Sequence, residues 1–324
     1  MFHGGCLDAA AQYFPDAPQP WLDLSTGINP VAWAPTRPPA VDLQALPSAA
    51  ALRALEAAAA AAFGAEHLAI AALPGSEIGL RLLATIDLPA PLHRVGPGYR
   101  THAEALPGAR VLDAGAITEV AEGTLLLANP NNPDGRVLAP DLLLQAARRL
   151  ADAGGMLVID EAFADATPEA SVLPHLHAHD RVLVFRSFGK FFGLAGVRLG
   201  FACSAADVVA TLRERLGSWP VSATAIAIGT AAYRDTAWAD RARRALVERR
   251  AALDALLHRH GLAPCGESSL FRLVQTPYAA ELFDRLARRG ILTRPFDYAP
   301  EWLRLGVPAD AAALQRLDEA LSHR

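Results

Sequence analysis

Short apolar runs recur through the middle of this chain, each closed by turn residues. They are Leu68–Leu73, Leu92–Val95, Ala109–Leu112, Thr124–Ala128, Met156–Asp160, Val182–Arg186 and Leu199–Cys203. Their apolar character is nearly continuous, as expected of strands buried on both faces. Between them lie stretches of helical pattern, notably Glu77–Ile86 and Asp141–Ala153, and a stretch rich in Ala, Leu and Glu at Ser48–Phe63 precedes them. Strands alternating with helices predict an α/β fold, a mostly parallel central sheet with helices on both faces. Loops at the carboxyl ends of such strands are where ligands bind.

The two ends read differently. Residues 1–45 are rich in proline and lack periodicity, which predicts an extended arm, expected as part of the small domain. Residues 46–225 are expected to form the large domain and residues 226–324 the small one. The small domain opens on one long, arginine-rich helical pattern from about Ala223 to His260. It continues with a strand at Leu270–Gln275, a helix near Ala279–Arg289, a strand at Trp302–Gly306 and a final helix, an α+β profile.

Composition removes several classes of function. A formal charge of −4 gives no basic footprint for nucleic acid. Hydrophobic residues make up 52% of the 324, yet no run approaches the ~20 apolar residues of a membrane helix. The N-terminus lacks the basic-then-apolar order of a signal peptide. Three widely spaced cysteines, Cys6, Cys203 and Cys265, suit neither a disulfide framework nor a zinc site, so a reducing cytoplasm is expected. His175, His177 and His179 alternate with apolar residues but have no acidic or cysteine companions, which favours a solvent-facing loop over a metal site.

The chemistry centres on one residue. Lys190 is the single lysine, against 29 arginines. A guanidinium stays protonated, whereas a lysine amine can lose its proton and condense with an aldehyde. Ser187 stands three residues before Lys190 and Arg198 eight after it, supplying a hydroxyl and a guanidinium for a phosphate. An amine for an aldehyde beside a phosphate site is what pyridoxal 5'-phosphate (PLP) requires. Asp160 closes the run Met156–Ile159, where a carboxylate can keep a pyridine nitrogen protonated or cap a helix. Asn132 lies in Asn129-Pro130-Asn131-Asn132-Pro133, suited to turn formation or to a hydrogen bond with the ring's phenolic oxygen. Gly75, Ser76 and Glu77 sit between a strand and a helix, where backbone amides can cradle a phosphate. Tyr99 offers a ring for stacking or for ordinary packing, and Arg304 a bidentate fork for a carboxylate.

These motifs, in this order, resemble the fold-type I PLP enzymes of the aspartate aminotransferase superfamily along nearly the whole chain. Within it the chain is similar to histidinol-phosphate aminotransferases and to threonine-phosphate decarboxylases. The resemblance implies that Lys190 binds the aldehyde and Asp160 the ring nitrogen, with His102 supporting Asp160. It places Asn132 at the phenolic oxygen, Tyr99 on the ring face, and Gly75, Ser76, Ser187 and Arg198 at the phosphate, with Glu77 alongside. Arg304 is implied for the substrate carboxylate and Arg294 as a second substrate arginine. His3-Gly4-Gly5 and the segment Trp21 to Pro30 resemble the opening of threonine-phosphate decarboxylases of the cobalamin pathway, with His3, Gly27 and Asn29 at the substrate. Without the resemblance, His3 reads as an unstructured terminal residue.

Two positions depart from the pattern. Phe163 stands where many aminotransferases have tyrosine, so one donor to the phenolic oxygen is missing and the imine pKa is expected to rise. Leu46-Pro47 replaces a Tyr-Pro pair, so a cross-subunit phosphate contact does not carry over. The expected reaction is decarboxylation of L-threonine O-3-phosphate to (R)-1-aminopropan-2-yl phosphate by a cytoplasmic homodimer without metal. The alternative is an aminotransferase acting on histidinol phosphate or a similar amino acid. A PLP-sensing regulator would need a basic helix-turn-helix, and the chain carries none.

Overall fold

The structure is a computed structural model in which residues 4–322 are described. Packing divides the chain into two compact units. One contains residues up to Val31, Pro133–Gly135 and the chain from Asp240 onward; the other contains Ala32–Asn132 and Arg136–Ala239.

In chain order the elements begin with α1 (Leu7–Tyr13), β1 (Leu22–Asp23) and α2 (Ala49–Phe63). Then come β2 (Ala69–Leu73), α3 (Ser76–Leu82), β3 (Leu92–Val95), α4 (Arg100–Ala105), β4 (Arg110–Leu112) and β5 (Thr124–Ala128). These are followed by α5 (Pro140–Asp152), β6 (Met156–Asp160), β7 (Val182–Ser187), α6 (Phe188–Phe191), β8 (Gly200–Ser204), α7 (Ala206–Leu216) and α8 (Ala223–Arg234). The last elements are α9 (Thr236–Arg259), β9 (Pro264–Cys265), β10 (Phe271–Gln275), α10 (Ala279–Arg288), β11 (Ile291–Leu292), β12 (Arg294–Pro295), β13 (Trp302–Gly306) and α11 (Ala311–Ser322).

The larger unit is built on a seven-stranded sheet of order β2-β8-β7-β6-β5-β3-β4. All neighbours from β4 to β7 pair in parallel, and only β8 runs against both its partners. Every residue of β5 and β6 is buried, which accounts for the unbroken apolar runs that announced them. Leu126, Val158, Leu183 and Phe185 from the central strands pack with Leu73, Leu80 and Leu106 in one core. Local signals set the helix ends. The Ser48 hydroxyl accepts from the Ala51 amide at 3.1 Å to start α2, Gly64 ends it in the left-handed region, and Pro140 opens α5.

The smaller unit holds a four-stranded antiparallel sheet, β12-β13-β10-β9, and a separate parallel pair of β1 with β11. Here the sequence expectations need correction. The opening segment is not extended throughout: it carries α1, and Leu22–Asp23 hydrogen-bonds beside Ile291–Leu292. Both elements are too short to leave a periodic signal. The single long helix expected from 223 to 260 is two helices, because Asp235 takes non-helical dihedrals. Its carboxylate accepts from the Trp238 amide at 3.0 Å and the Trp33 indole at 3.1 Å, so a short polar side chain caps α9 where the pattern alone ran on. The helix expected at Glu77–Ile86 starts one residue earlier and ends at Leu82 in a 3-10 turn.

Gly79 lets α3 lie close on the sheet: a Cβ there would stand 2.5 Å from Phe185 and 2.7 Å from Leu73. Glycine to alanine within a helix ordinarily stabilises by up to about 1 kcal/mol. Overpacking costs about 1–3 kcal/mol and wins here, so Gly79→Ala is expected to destabilise by about 1–2 kcal/mol. Urea unfolding midpoints compared with wild type check the sign.

Candidate active site

Strand register decides what meets at one edge of the large sheet. Ala128 pairs with Asp160, and Asp160 with Phe185, so the carboxyl ends of β5, β6 and β7 are level. Gly200 at the start of β8 pairs with both Leu73 and Ser187. The segments beginning at Asn129, Asp160 and Ser187 therefore leave the sheet on the same edge as Pro74–Ser76, as the α/β rule requires of a binding site.

Asp160 is buried there and its two oxygens have separate tasks. Oδ2 lies 3.1 Å from His102 Nε2, while Oδ1 accepts from the Ala162 amide at 3.2 Å. Oδ1 thus closes a local turn rather than capping a helix, since the 3-10 turn that follows has Phe163 at its N-cap, while Oδ2 meets His102. His102 projects from the first turn of α4 and is as buried as its partner; its ring meets that of Tyr99 edge-on at 5.9 Å. Burial pushes the Tyr99 hydroxyl above its usual pKa, so it stays protonated. The turn after β5 is fixed chiefly by Asn129, whose side chain bonds Leu138 and the Ala170 carbonyl, and by Asn131, which donates to the Pro97 carbonyl at 2.9 Å. Asn132 follows them, half-buried. Lys190 lies on α6 with Nζ 5.8 Å from the ring centre of Phe163.

Gly75 takes φ +93°, a conformation that favours glycine, and a Cβ on it would come within 2.9 Å of Arg198 Nη2. A Cβ on Gly200 would run into the Ser76 amide. Arg198 itself sits at φ +55°, unusual for a residue with a side chain. Strand ends stripped of side chains, beside a guanidinium and the Ser76 and Ser187 hydroxyls, form a cradle that fits a phosphate dianion. A deprotonable lysine, a buried acid and this cradle together fit PLP. Glu77 is engaged elsewhere in the structure, 3.0 Å from Arg81, which also reaches Glu104 at 2.8 Å.

The expected substrate residues fall in the smaller unit. Arg294 and Arg304 are cross-strand partners on β12 and β13. Arg304 is buried, donates to the Ser25 carbonyl at 2.9 Å and lies 4.9 Å from the Phe271 ring centre. Burial first, and then the facing Arg294, lower its pKa to about 10 against the opposing pull of Tyr298 and Asp23, so it remains a cation at neutral pH. Tyr298 is pushed up to about 12 by burial. Gly27 and Asn29 are buried, with Asn29 Oδ1 accepting from the Val31 amide at 3.1 Å. His3 lies outside the described residues. His175, His177 and His179 are exposed, and no three His, Cys, Asp or Glu among the described residues gather as metal ligands.

Sequence reasoning passed over two groups. Ser25 accepts from Arg304 through its carbonyl, bonds the Gly5 amide through Oγ at 2.7 Å and donates to Asp23 at 2.5 Å. Beneath the large sheet's edge, Arg186 joins Glu161 and Asp165 in a buried ion-pair set. The one available signal was a charge inside an apolar run.

The sequence model of the family aminotransferase class I and II matches residues 110–321. A threonine-phosphate decarboxylase of Sinorhizobium is 43% identical over 99% of this chain and 98% of its own, and one of Pseudomonas aeruginosa 42% over 98% and 96%. The crystal structure of histidinol-phosphate aminotransferase from Sinorhizobium meliloti with pyridoxal-5'-phosphate superposes with a TM-score of 0.81, covering 97% of this chain and 93% of that one, at 21% identity. The fold is that of the fold-type I PLP enzymes, and the chain belongs to the aminotransferase class I and II family.

Proposed function

We propose that this protein is a PLP-dependent decarboxylase that converts L-threonine O-3-phosphate to (R)-1-aminopropan-2-yl phosphate, the linker unit of cobalamin. The observation that carries the reading is similarity along almost the entire chain to two proteins named threonine-phosphate decarboxylase. The paired Arg294 and Arg304 support it, since they suit a substrate with two anionic groups.

When bound, PLP supplies an aldehyde and an electron-accepting ring. Lys190 would hold the aldehyde through its amine and would also serve as a group that takes up or returns a proton. Asp160, oriented by His102, holds a proton at the ring nitrogen. Asn132 donates to the phenolic oxygen, where Phe163 supplies apolar surface and no hydrogen bond. Gly75, Ser76, Ser187 and Arg198 bind the cofactor phosphate. Arg304 holds the substrate carboxylate and Arg294 its phosphate, with Gly27, Asn29 and His3 bordering them. Anchoring a substrate at both ends would be a positioning effect, restricting rotation about Cα so that one bond is presented for cleavage. Loss of carbon dioxide would leave the bonding pair on the substrate, and Lys190 or a water would return a proton to Cα. The working form in this reading is a cytoplasmic homodimer. Three free thiols suit a reducing compartment, and among the described residues no helix is long and apolar enough to cross a membrane. Light scattering of the purified protein tests the dimer.

The PLP-loaded protein incubated with L-threonine O-3-phosphate is expected to release carbon dioxide and the aminopropanol phosphate in equal amounts with no keto acid present. Amino transfer to 2-oxoglutarate without carbon dioxide release would instead establish an aminotransferase. Lys190→Ala is expected to lose the visible band of the bound cofactor together with turnover. Arg304→Lys keeps the charge but loses the fork, so kcat/KM should fall roughly 10- to 100-fold, the worth of one charge-assisted hydrogen bond. Steady-state kinetics of that variant decide it.

A further inference from the structure

Arg186 on β7 is almost wholly buried, at 2% exposure, although it touches none of the groups assigned above. Its fork reaches into the segment that follows β6. Nη1 lies 3.0 Å from Glu161 Oε2, and Nη2 pairs with Asp165 Oδ1. Glu161 is the residue after Asp160, and Phe163 is midway between the two clamped carboxylates. On its own strand, Arg186 precedes Ser187 and stands four residues before Lys190. One guanidinium therefore ties the segment bearing the acid to the segment bearing the amine. The far side of the clamp is closed as well: Glu161 accepts from Ser171 Oγ at 2.6 Å and from the Val172 amide at 2.9 Å.

Such a set is expensive to bury, and apolar residues of similar volume often serve stability as well or better. Stability is thus a poor account of why three charges lie under this edge, and geometry a better one. We propose that Arg186 is a positioning residue for the cofactor: by holding Glu161 and Asp165 together it fixes Asp160 and Phe163 relative to Lys190, and so fixes the tilt of the bound ring. The inference rests on the reading of Asp160 and Lys190 as cofactor residues. It demands a fork, because a lysine in this place keeps the charge but cannot bridge two carboxylates in a fixed plane.

The test uses full-length protein stripped of cofactor and titrated with PLP, reading the dissociation constant, the visible circular dichroism of the bound cofactor and the thermal midpoint. Arg186→Lys is expected to raise the dissociation constant about tenfold, the loss of one charge-assisted hydrogen bond, and to change the visible dichroism. Asp165→Asn, which leaves Arg186 and Glu161 paired, should move both readouts the same way by less, and it carries the test alone if Arg186→Lys does not fold. A folded variant with a lower thermal midpoint but wild-type dichroism and a dissociation constant within about twofold of wild type would overturn the proposal, leaving Arg186 a purely structural ion pair. The reading beneath it fails separately, if wild-type protein binds no PLP or if Asp160→Asn binds it with unchanged dichroism.

Discussion

A parallel sheet covered on both faces must satisfy every backbone hydrogen bond within its own ladders, since no water reaches them. That constraint governs the larger unit. With β5, β6 and β7 covered on both faces, a slip of one residue would exchange the side chains packed against the two layers, so the register is held firmly. The level carboxyl ends of these strands are the consequence, and the positions of Asn129, Asp160 and Ser187 follow from them. The reversal of β8 adds the second half of the site, because Gly200 can then face Leu73 and Ser187 at once and bring the Gly75 turn beside Arg198.

Charge is distributed on this scaffold by burial rather than by number. Asp160 is buried against a histidine, a partner that can orient a carboxylate by donating one hydrogen bond. Immediately behind it, desolvation raises the pKa of Glu161 although Arg186 and Ser171 oppose it, and burial likewise raises those of Cys203 and Tyr233. Arg304 is the opposite case. It is a buried cation facing a second cation, held by a backbone carbonyl and an aromatic ring. The larger unit thus gathers Glu161 and Asp165 around Arg186, and the smaller sets Arg304 opposite Arg294.

The sheet was legible in the sequence because buried parallel strands leave unbroken apolar runs, and all seven of its strands were anticipated to within two residues at either end. Lys190 stood out for a compositional reason: in a chain that writes its cations as arginine, a lone lysine is the single side-chain amine, a group that can lose a proton where a guanidinium does not. The same habit hid Arg186, one arginine among 29, whose burial shows only when β7 is paired on both sides. Ser25 was hidden because its service to Arg304 is performed by a backbone carbonyl, which every residue has. The break at Asp235 was hidden because an aspartate between helical patterns reads as an exposed position until Trp33, some two hundred residues away, donates to it. What escaped, in each case, depends on a tertiary partner and has no periodicity of its own.

The cofactor residues do not by themselves choose a reaction. An amine, a ring-nitrogen acid and a phosphate cradle serve proton removal from Cα as well as loss of its carboxylate; the bond that breaks is the one held perpendicular to the ring. A substrate gripped at one end keeps rotation about Cα, whereas two anchors on adjacent strands remove it. Antiparallel partners stand about 4.5–5.5 Å apart at Cα, close enough for both forks of Arg294 and Arg304 to engage one small dianion. Two arginines on neighbouring strands present two forks side by side, so a ligand with two negative groups can engage both where a ligand with one engages a single fork.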